Sequence, residues 1–169
     1  LETNSGAVYD VAEHAALNGK RVILNPAPAA EVPEHVWKWI DIVTPNEVEA
    51  EYYTGIPVCS GESAEEAAQW FHRRGVRHVI ITMGDSGAYL SVNGAGQMVP
   101  PFCVTAVDTT GAGDAFNGGL LAALSEGKDL TQAVVFASAA AALSVGRIGT
   151  APSMPDREEI LSLLKTVRK

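Results

Sequence analysis

Apolar positions along the chain alternate between helical spacing and short unbroken runs. In residues 6–17, Val8, Val11, Ala12, Ala15 and Ala16 fall on one helical face, and Asn18-Gly19 supplies a stop. Arg21-Val22-Ile23-Leu24 predicts a short strand. Asn25-Pro26-Ala27-Pro28 ends it, because proline lacks the N–H that a ladder needs. Asp41-Ile42-Val43-Thr44 predicts a second strand stopping at Pro45, followed by a helix from Asn46 to Tyr53 that closes at Gly55. A third unit comprises a helix over Ser63 to Arg74, with Ser63 and Glu66 in capping-box register, and the strand His78-Val79-Ile80-Ile81-Thr82. Gly87 to Val92 and Gln97 to Val99 flank Asn93-Gly94 and predict a hairpin. A strand over Val104 to Val107 then leads through a glycine-rich turn to helices at Asp114 to Ser125 and Leu130 to Val145, with a last helix after Pro155. Continuous apolar strands separated by helices imply an α/β fold with a mostly parallel sheet covered on both faces.

The 169 residues, 47% of them hydrophobic, suffice for one sizeable core, so a single domain is expected. A net charge of -8 argues against nucleic acid or an anionic membrane as partner, and it requires local donors for any anionic substrate. Cys59 and Cys103 lie far apart in no metal or redox spacing, as in a reduced cytoplasmic protein. His14, His35, His72 and His78 share no ligand spacing. The apolar stretch from Ala133 to Val145 is too short for a membrane span, and no signal peptide is read at the start. The chain begins with Leu1 rather than Met, as a piece of something longer would.

The run Asp108-Thr109-Thr110-Gly111-Ala112-Gly113-Asp114-Ala115-Phe116-Asn117-Gly118-Gly119 joins a strand to a helix and suits a phosphate. Its glycines allow close backbone approach, and the following helix directs unpaired N–H groups and its positive dipole end into the turn. The pattern is neither a Walker A loop nor a dinucleotide fingerprint, since Phe116 stands where the latter needs its third glycine. Asp114 would repel a phosphate unless it serves to remove a proton from the attacking nucleophile. A first-turn acid that only complements the dipole is the plainer alternative.

This run resembles the C-terminal signature of the ribokinase-like (PfkB-type) carbohydrate kinases. Asn25-Pro26-Ala27-Pro28-Ala29, Thr44-Pro45-Asn46-Glu47-Val48-Glu49 and Thr82-Met83-Gly84-Asp85-Ser86-Gly87 follow the same family in order and spacing. Arg147-Ile148-Gly149-Thr150-Ala151-Pro152-Ser153 is similar to the ribokinase branch more than to the fructokinase or adenosine kinase branches. The resemblance implies the C-terminal part of a three-layer α/β/α sandwich that transfers phosphate from ATP to a sugar hydroxyl, D-ribose giving ribose 5-phosphate. A related fructokinase- or adenosine kinase-like activity, or a nucleotide-binding remnant without activity, stays open.

By that resemblance Asp114 is the general base, and the N–H groups of Gly111, Ala112, Gly113 and Asp114 form the anion hole. Asn46 and Glu49 organise Mg²⁺ and phosphates, the acid through water, unless Glu49 is a solvated helix-surface acid. Thr82, Met83, Gly84, Asp85, Ser86 and Gly87 form the ATP-binding turn. Ser138 lines the adenine pocket or merely packs between helices. A K⁺ site draws on Asp108 and Ser153 with the carbonyls of Thr110, Ser144, Arg147 and Gly149, Asp108 otherwise being a turn aspartate. Glu2 contacts the sugar together with Asp114. Roughly the first half of a ribokinase-like chain, with its β-lid and Gly-Gly-Lys-Gly segment, is missing. The intact protein is expected to be a cytoplasmic homodimer that binds sugar and ATP, with neither nucleic acid nor membrane as partner.

Overall fold

The computed structural model describes residues 5–166. The chain forms two compact units. One runs to Gly84 and takes up Ala88–Met98, and the other comprises Asp85–Gly87 and the chain from Val99 onward.

The first unit holds a sheet in the order β1 (Ile23–Leu24), β2 (Ile42–Val43), β3 (His78–Thr82), β4 (Ala88–Val92) and β5 (Ala95–Val99). β1, β2 and β3 are parallel, in register Ile23↔Ile42 and Ile42↔His78, while β4 runs antiparallel to β3 with Ile80 opposite Leu90. β1 and β2 are shorter than the patterns suggest, yet backbone bonds from Ile42 to Val22 (3.1 Å) and Thr44 to Leu24 (3.0 Å) extend their pairing at both ends. Asn93 (φ 50°) and Gly94 (φ 87°) make the expected two-residue turn between β4 and β5. The Ala27-Pro28 peptide after β1 is cis.

Helices α1 (Ser5–Leu17), α2 (Glu47–Thr54) and α3 (Gly61–His72) accompany the sheet, with a 3₁₀ helix at Glu34–Trp39 that the apolar pattern does not announce. The core centres on Trp37, whose ring meets Tyr53, Trp70 and Phe71 edge-on at centroid distances of 5.3, 5.8 and 5.4 Å. Tyr53 is tied down as well, donating to the Ala30 carbonyl at 2.8 Å. Two expectations change. Val11 is 67% exposed while Ala12 and the flanking Val8 and Tyr9 face the core, so the buried face of α1 is rotated from the predicted one. Helix α3 starts a turn early on Ser60, whose Oγ accepts from Ser63 N–H (3.2 Å) while Ser63 Oγ accepts from Ser60 N–H (3.0 Å). Ser63 itself supplies the return bond that the sequence rule reserves for Glu or Gln.

The second unit is built on α4 (Ala112–Ser125), α5 (Leu130–Val145) and α6 (Arg157–Thr166). Phe116, Leu120 and Ala123 of α4 and Ala133, Phe136, Ala137 and Ala140 of α5 are buried, and these mostly small faces let the helices pack closely. The strand expected over Val104 to Val107 does not form. Val104 and Val107 are 42% and 60% exposed, and no described strand pairs with them, so nothing offsets the cost of ordering an extended backbone there. The Val107 and Asp108 N–H groups instead bond to the Val145 carbonyl at the end of α5, at 2.7 and 3.1 Å. Among the described residues no helix is long and apolar enough to cross a membrane.

Candidate active site

The turn into α4 is organised by Asp108. Its Oδ1 accepts from Thr110 N–H at 2.9 Å and its Oδ2 from Gly149 N–H at 3.0 Å. The Gly149 N–H, then the Thr110 hydroxyl and N–H, stabilise the carboxylate and pull its pKa down to about 2. Gly111 then takes the left-handed conformation (φ 80°, ψ 5°) that a side chain resists, and α4 starts on it with no side-chain cap. Helices α2, α3 and α5 are capped by Asn46, Ser60 and Asp129. At α4 the positive dipole end is left for another acceptor. Gly113 and Asp114 are both exposed in its first turn, and a Cβ built on Gly113 meets nothing within 4 Å. This arrangement can receive an anion beside a carboxylate able to take up a proton.

The other residues of the predicted cation set lie in the same unit. Ser144 is buried in the last turn of α5, donates its Oγ to Ala141 O (2.8 Å), and accepts Arg147 N–H at its carbonyl (3.1 Å). Arg147 is anchored by Glu159, Nη1 to Oε2 at 3.3 Å. Ser153 is fully buried and donates to Thr150 O at 2.6 Å. Asp108, Thr110 and Gly149 are brought together by direct bonds, and Ser144, Arg147 and Ser153 flank Gly149 along the chain that leaves α5. Among the described residues no cluster of three or more His, Cys, Asp or Glu could hold a metal.

In the first unit, Asn46 and Glu49 form a reciprocal capping box on α2. Asn46 Oδ1 accepts Glu49 N–H at 2.8 Å, and Glu49 Oε2 accepts Asn46 N–H at 2.9 Å. Glu49 is only 8% exposed, so it is not a solvated surface acid. Asn46 also stands across a parallel bridge from Thr82, whose N–H bonds to Pro45 O at 3.0 Å. The ends of β2 and β3 thereby bring together two residues that the sequence separates by a whole helical unit. Beyond Thr82, Met83 is buried and Gly84 (φ 47°) opens a 3₁₀ turn, Gly84–Ser86, in which Asp85 and Ser86 are exposed. A Glu47 carboxylate oxygen lies 3.7 Å from where a Cβ on Gly84 would stand. Glu47 was not among the predicted site residues, and its only signal is the acid-rich entry of α2.

Gly87 (φ 91°) closes this segment in the left-handed region. Ser138, in α5, has a buried Oγ with no hydrogen-bond partner among the described residues, an uncommon state for a hydroxyl. Glu2 lies outside the described residues.

Residues 2–157 match the family model described as pfkB family carbohydrate kinase. The chain belongs to the pfkB family of carbohydrate kinases. Within that family it is 46% identical to the ribokinase of Haemophilus influenzae over 165 residues, which are 98% of this chain and 54% of that protein. The crystal structure of Thermotoga maritima ribokinase superposes with a TM-score of 0.84 at 41% identity, covering 93% of this chain and 53% of the other. Arabidopsis thaliana ribokinase, solved complexed with ribose and ATP, superposes with a TM-score of 0.91 at 35% identity, covering 96% and 53%. The chain spans about half the length of the relatives it matches, and over that span the α/β fold of the family is the fold expected from the sequence.

Proposed function

We propose that the protein carrying this chain transfers the γ-phosphoryl group of ATP to the O5 hydroxyl of D-ribose, and that this chain supplies its nucleotide-binding and catalytic part. The observation that carries the reading is the uncapped start of α4 at Gly111 with exposed Asp114 in its first turn. In this reading the sugar oxygen forms a bond to the γ-phosphorus, the bond to the β,γ-bridging oxygen breaks, and ADP leaves. The hydroxyl proton passes to the Asp114 carboxylate. The N–H groups of Gly111, Ala112, Gly113 and Asp114 hold the charge on the transferring group, and donors of this kind contribute about 10²–10³ in rate each.

Asn46 and Glu49 fit the neighbourhood of hydrated Mg²⁺, since the capping box holds one Glu49 oxygen and fixes the carboxylate. Mg²⁺ bound there would supply charge neutralisation of the phosphates. Thr82 to Gly87 would hold the nucleotide, and the unpartnered Ser138 hydroxyl suits a polar adenine edge. Asp108, ionised down to about pH 2, fits K⁺ together with the carbonyls of Thr110, Ser144, Arg147 and Gly149 and the Ser153 hydroxyl. K⁺ would add positive charge beside the anion-hole turn. Glu2 is assigned to the sugar on the family resemblance.

Asp114→Asn in the full-length protein tests the reading. The amide keeps the shape but cannot accept the proton, so kcat should fall by about 10²–10⁴ while ATP affinity changes little. Retention of more than about a tenth of wild-type turnover would falsify the general-base role.

A further inference from the structure

Four of the six Lys and Arg residues of the first unit, Lys20, Arg21, Lys38 and Arg77, gather at the end of the sheet away from Asn46 and Thr82. A cavity of about 290 Å³ opens there, lined by Lys20 and Arg21 before β1, Lys38, Trp39 and Asp41 before β2, and Arg77 before β3. Asn46 and Thr82 follow the opposite ends of β2 and β3. The four residue steps of β3, at ~3.3 Å each, put roughly 13 Å of strand between the two ends.

We propose that this cavity binds a small phosphate-type polyanion, such as a pyrophosphate group or a phosphate ester. The proposal is independent of the kinase reading. Four of the twelve Lys and Arg residues of a chain with net charge -8 line this one cavity, against a single carboxylate. That carboxylate is already engaged. Asp41 Oδ2 accepts Val22 N–H at 3.0 Å, and Oδ1 lies 3.4 Å from Arg77 Nη1. Lys20, Arg21 and Lys38 are left in excess, and none of the three has an ion pair among the described residues. Like charges lining one cavity repel one another, and an anion placed among them relieves the repulsion. An Arg fork beside Lys point charges is the donor set that phosphate oxygens match.

The cavity is also held in shape before any ligand arrives. Backbone bonds from Asp41 to Val22 (2.9 Å) and from His78 to Asp41 (2.9 Å) stitch the three entry segments together. The α3–β3 turn presses against Lys38, so that a Cβ on Gly75 (φ 96°) would stand 3.2 Å from Lys38 Cα. Lys38 Nζ lies 4.6 Å from the centroid of the Trp39 ring, a cation–π approach that draws the ammonium toward the ring. The backbone that carries these side chains is therefore ordered beforehand, which leaves only side-chain ordering to offset when the ligand binds.

Trp39 provides the readout, since its indole Nε1 is buried without a partner among the described residues and Trp39 lines the cavity. Pyrophosphate is titrated into the full-length, ¹⁵N-labelled protein without Mg²⁺, while the indole N–H signals of Trp37, Trp39 and Trp70 are followed. The Trp39 signal should move saturably, and more weakly as ionic strength rises, while that of Trp37 in the core stays in place. The K20Q/R21Q variant should weaken the apparent affinity by about tenfold or more, and K128Q in the other unit should leave it unchanged. Asp114→Asn should leave the Trp39 response intact, which separates this site from the catalytic reading. An unmoved Trp39 signal, or the same titration curve in K20Q/R21Q with its fold confirmed by an unchanged amide spectrum, overturns the proposal.

Discussion

Gly149 donates its N–H to Asp108 Oδ2 across 3.0 Å, joining two positions 41 residues apart in the chain. With Thr110 N–H on the other carboxylate oxygen, Asp108 clasps the segment after α5 to the turn that launches α4. A turn aspartate of the ordinary kind bonds only to its near neighbours. The long-range bond makes Asp108 the organiser of the α4 entry.

That clasp should be visible in acid. The Asp108 pKa is lowered from 3.8 to about 2 in the folded protein, chiefly by the Gly149 N–H. A depressed carboxylate stabilises the fold above its unfolded pKa, and the contribution is lost as pH falls through the folded value. Urea midpoints of wild type should therefore decline between pH 4 and pH 2 more steeply than those of Asp108→Asn. Parallel acid limbs for the two proteins would count against the clasp.

If the carbonyls around Gly149 hold K⁺, exchanging K⁺ for Na⁺ should lower kinase turnover in the full-length protein, and Asp108→Ala should remove the difference between the salts. Equal wild-type rates in both salts would dismiss the cation site while leaving the kinase reading standing.

Gly111 and Gly113 should respond to alanine in opposite ways. At Gly111 a side chain meets the left-handed backbone and stands 3.3 Å from Thr150 Cγ2, so Gly111→Ala should cost about 1–2 kcal/mol in chemical denaturation. At Gly113, helical and with open space around the Cβ position, alanine should stabilise by about 0.5–1 kcal/mol. If the phosphate approaches the start of α4 as proposed, Gly113→Ala should nonetheless lower turnover, because the new methyl group would stand in its way. A stabilised Gly113→Ala enzyme with full activity would place the phosphate elsewhere.

Asn46→Ala and Ser60→Ala each remove a capping box, from α2 and α3, and each should cost about 1 kcal/mol. Only Asn46→Ala should also raise the KM for ATP, since the cap it removes positions Glu49. Equal effects of the two variants on KM would reduce the Asn46–Glu49 pair to a helix cap.

The strands at His78–Thr82 and Ala88–Val92 and the long helix Leu130–Val145 were legible because their signals are local: apolar runs, an Asn-Gly turn, and a capped stretch of helix formers. Local signals failed where several choices met the same rule. Ser60 and Ser63 both qualify as caps, and Val8, Val11 and Ala12 all fit one helical stripe. The candidate site was proposed from short strings: Asp108 to Asp114 from its glycines and acid at a helix entry, and Asn46 to Glu49 and Thr82 to Gly87 from the family resemblance alone.

From the amino-acid order alone came the alternation of elements, the family, and the candidates proposed for phosphate and proton transfer, since each is carried by a dozen or so neighbouring positions. The pairing of Asn46 with Thr82, the clasp of Asp108 on Gly149, the burial of Glu49 and the gathering of Lys20, Arg21, Lys38 and Arg77 at one cavity were decided by tertiary structure. Each of these depends on strand register or on loop closure between distant segments, and the free energy of such contacts belongs to the packed chain rather than to any stretch of it.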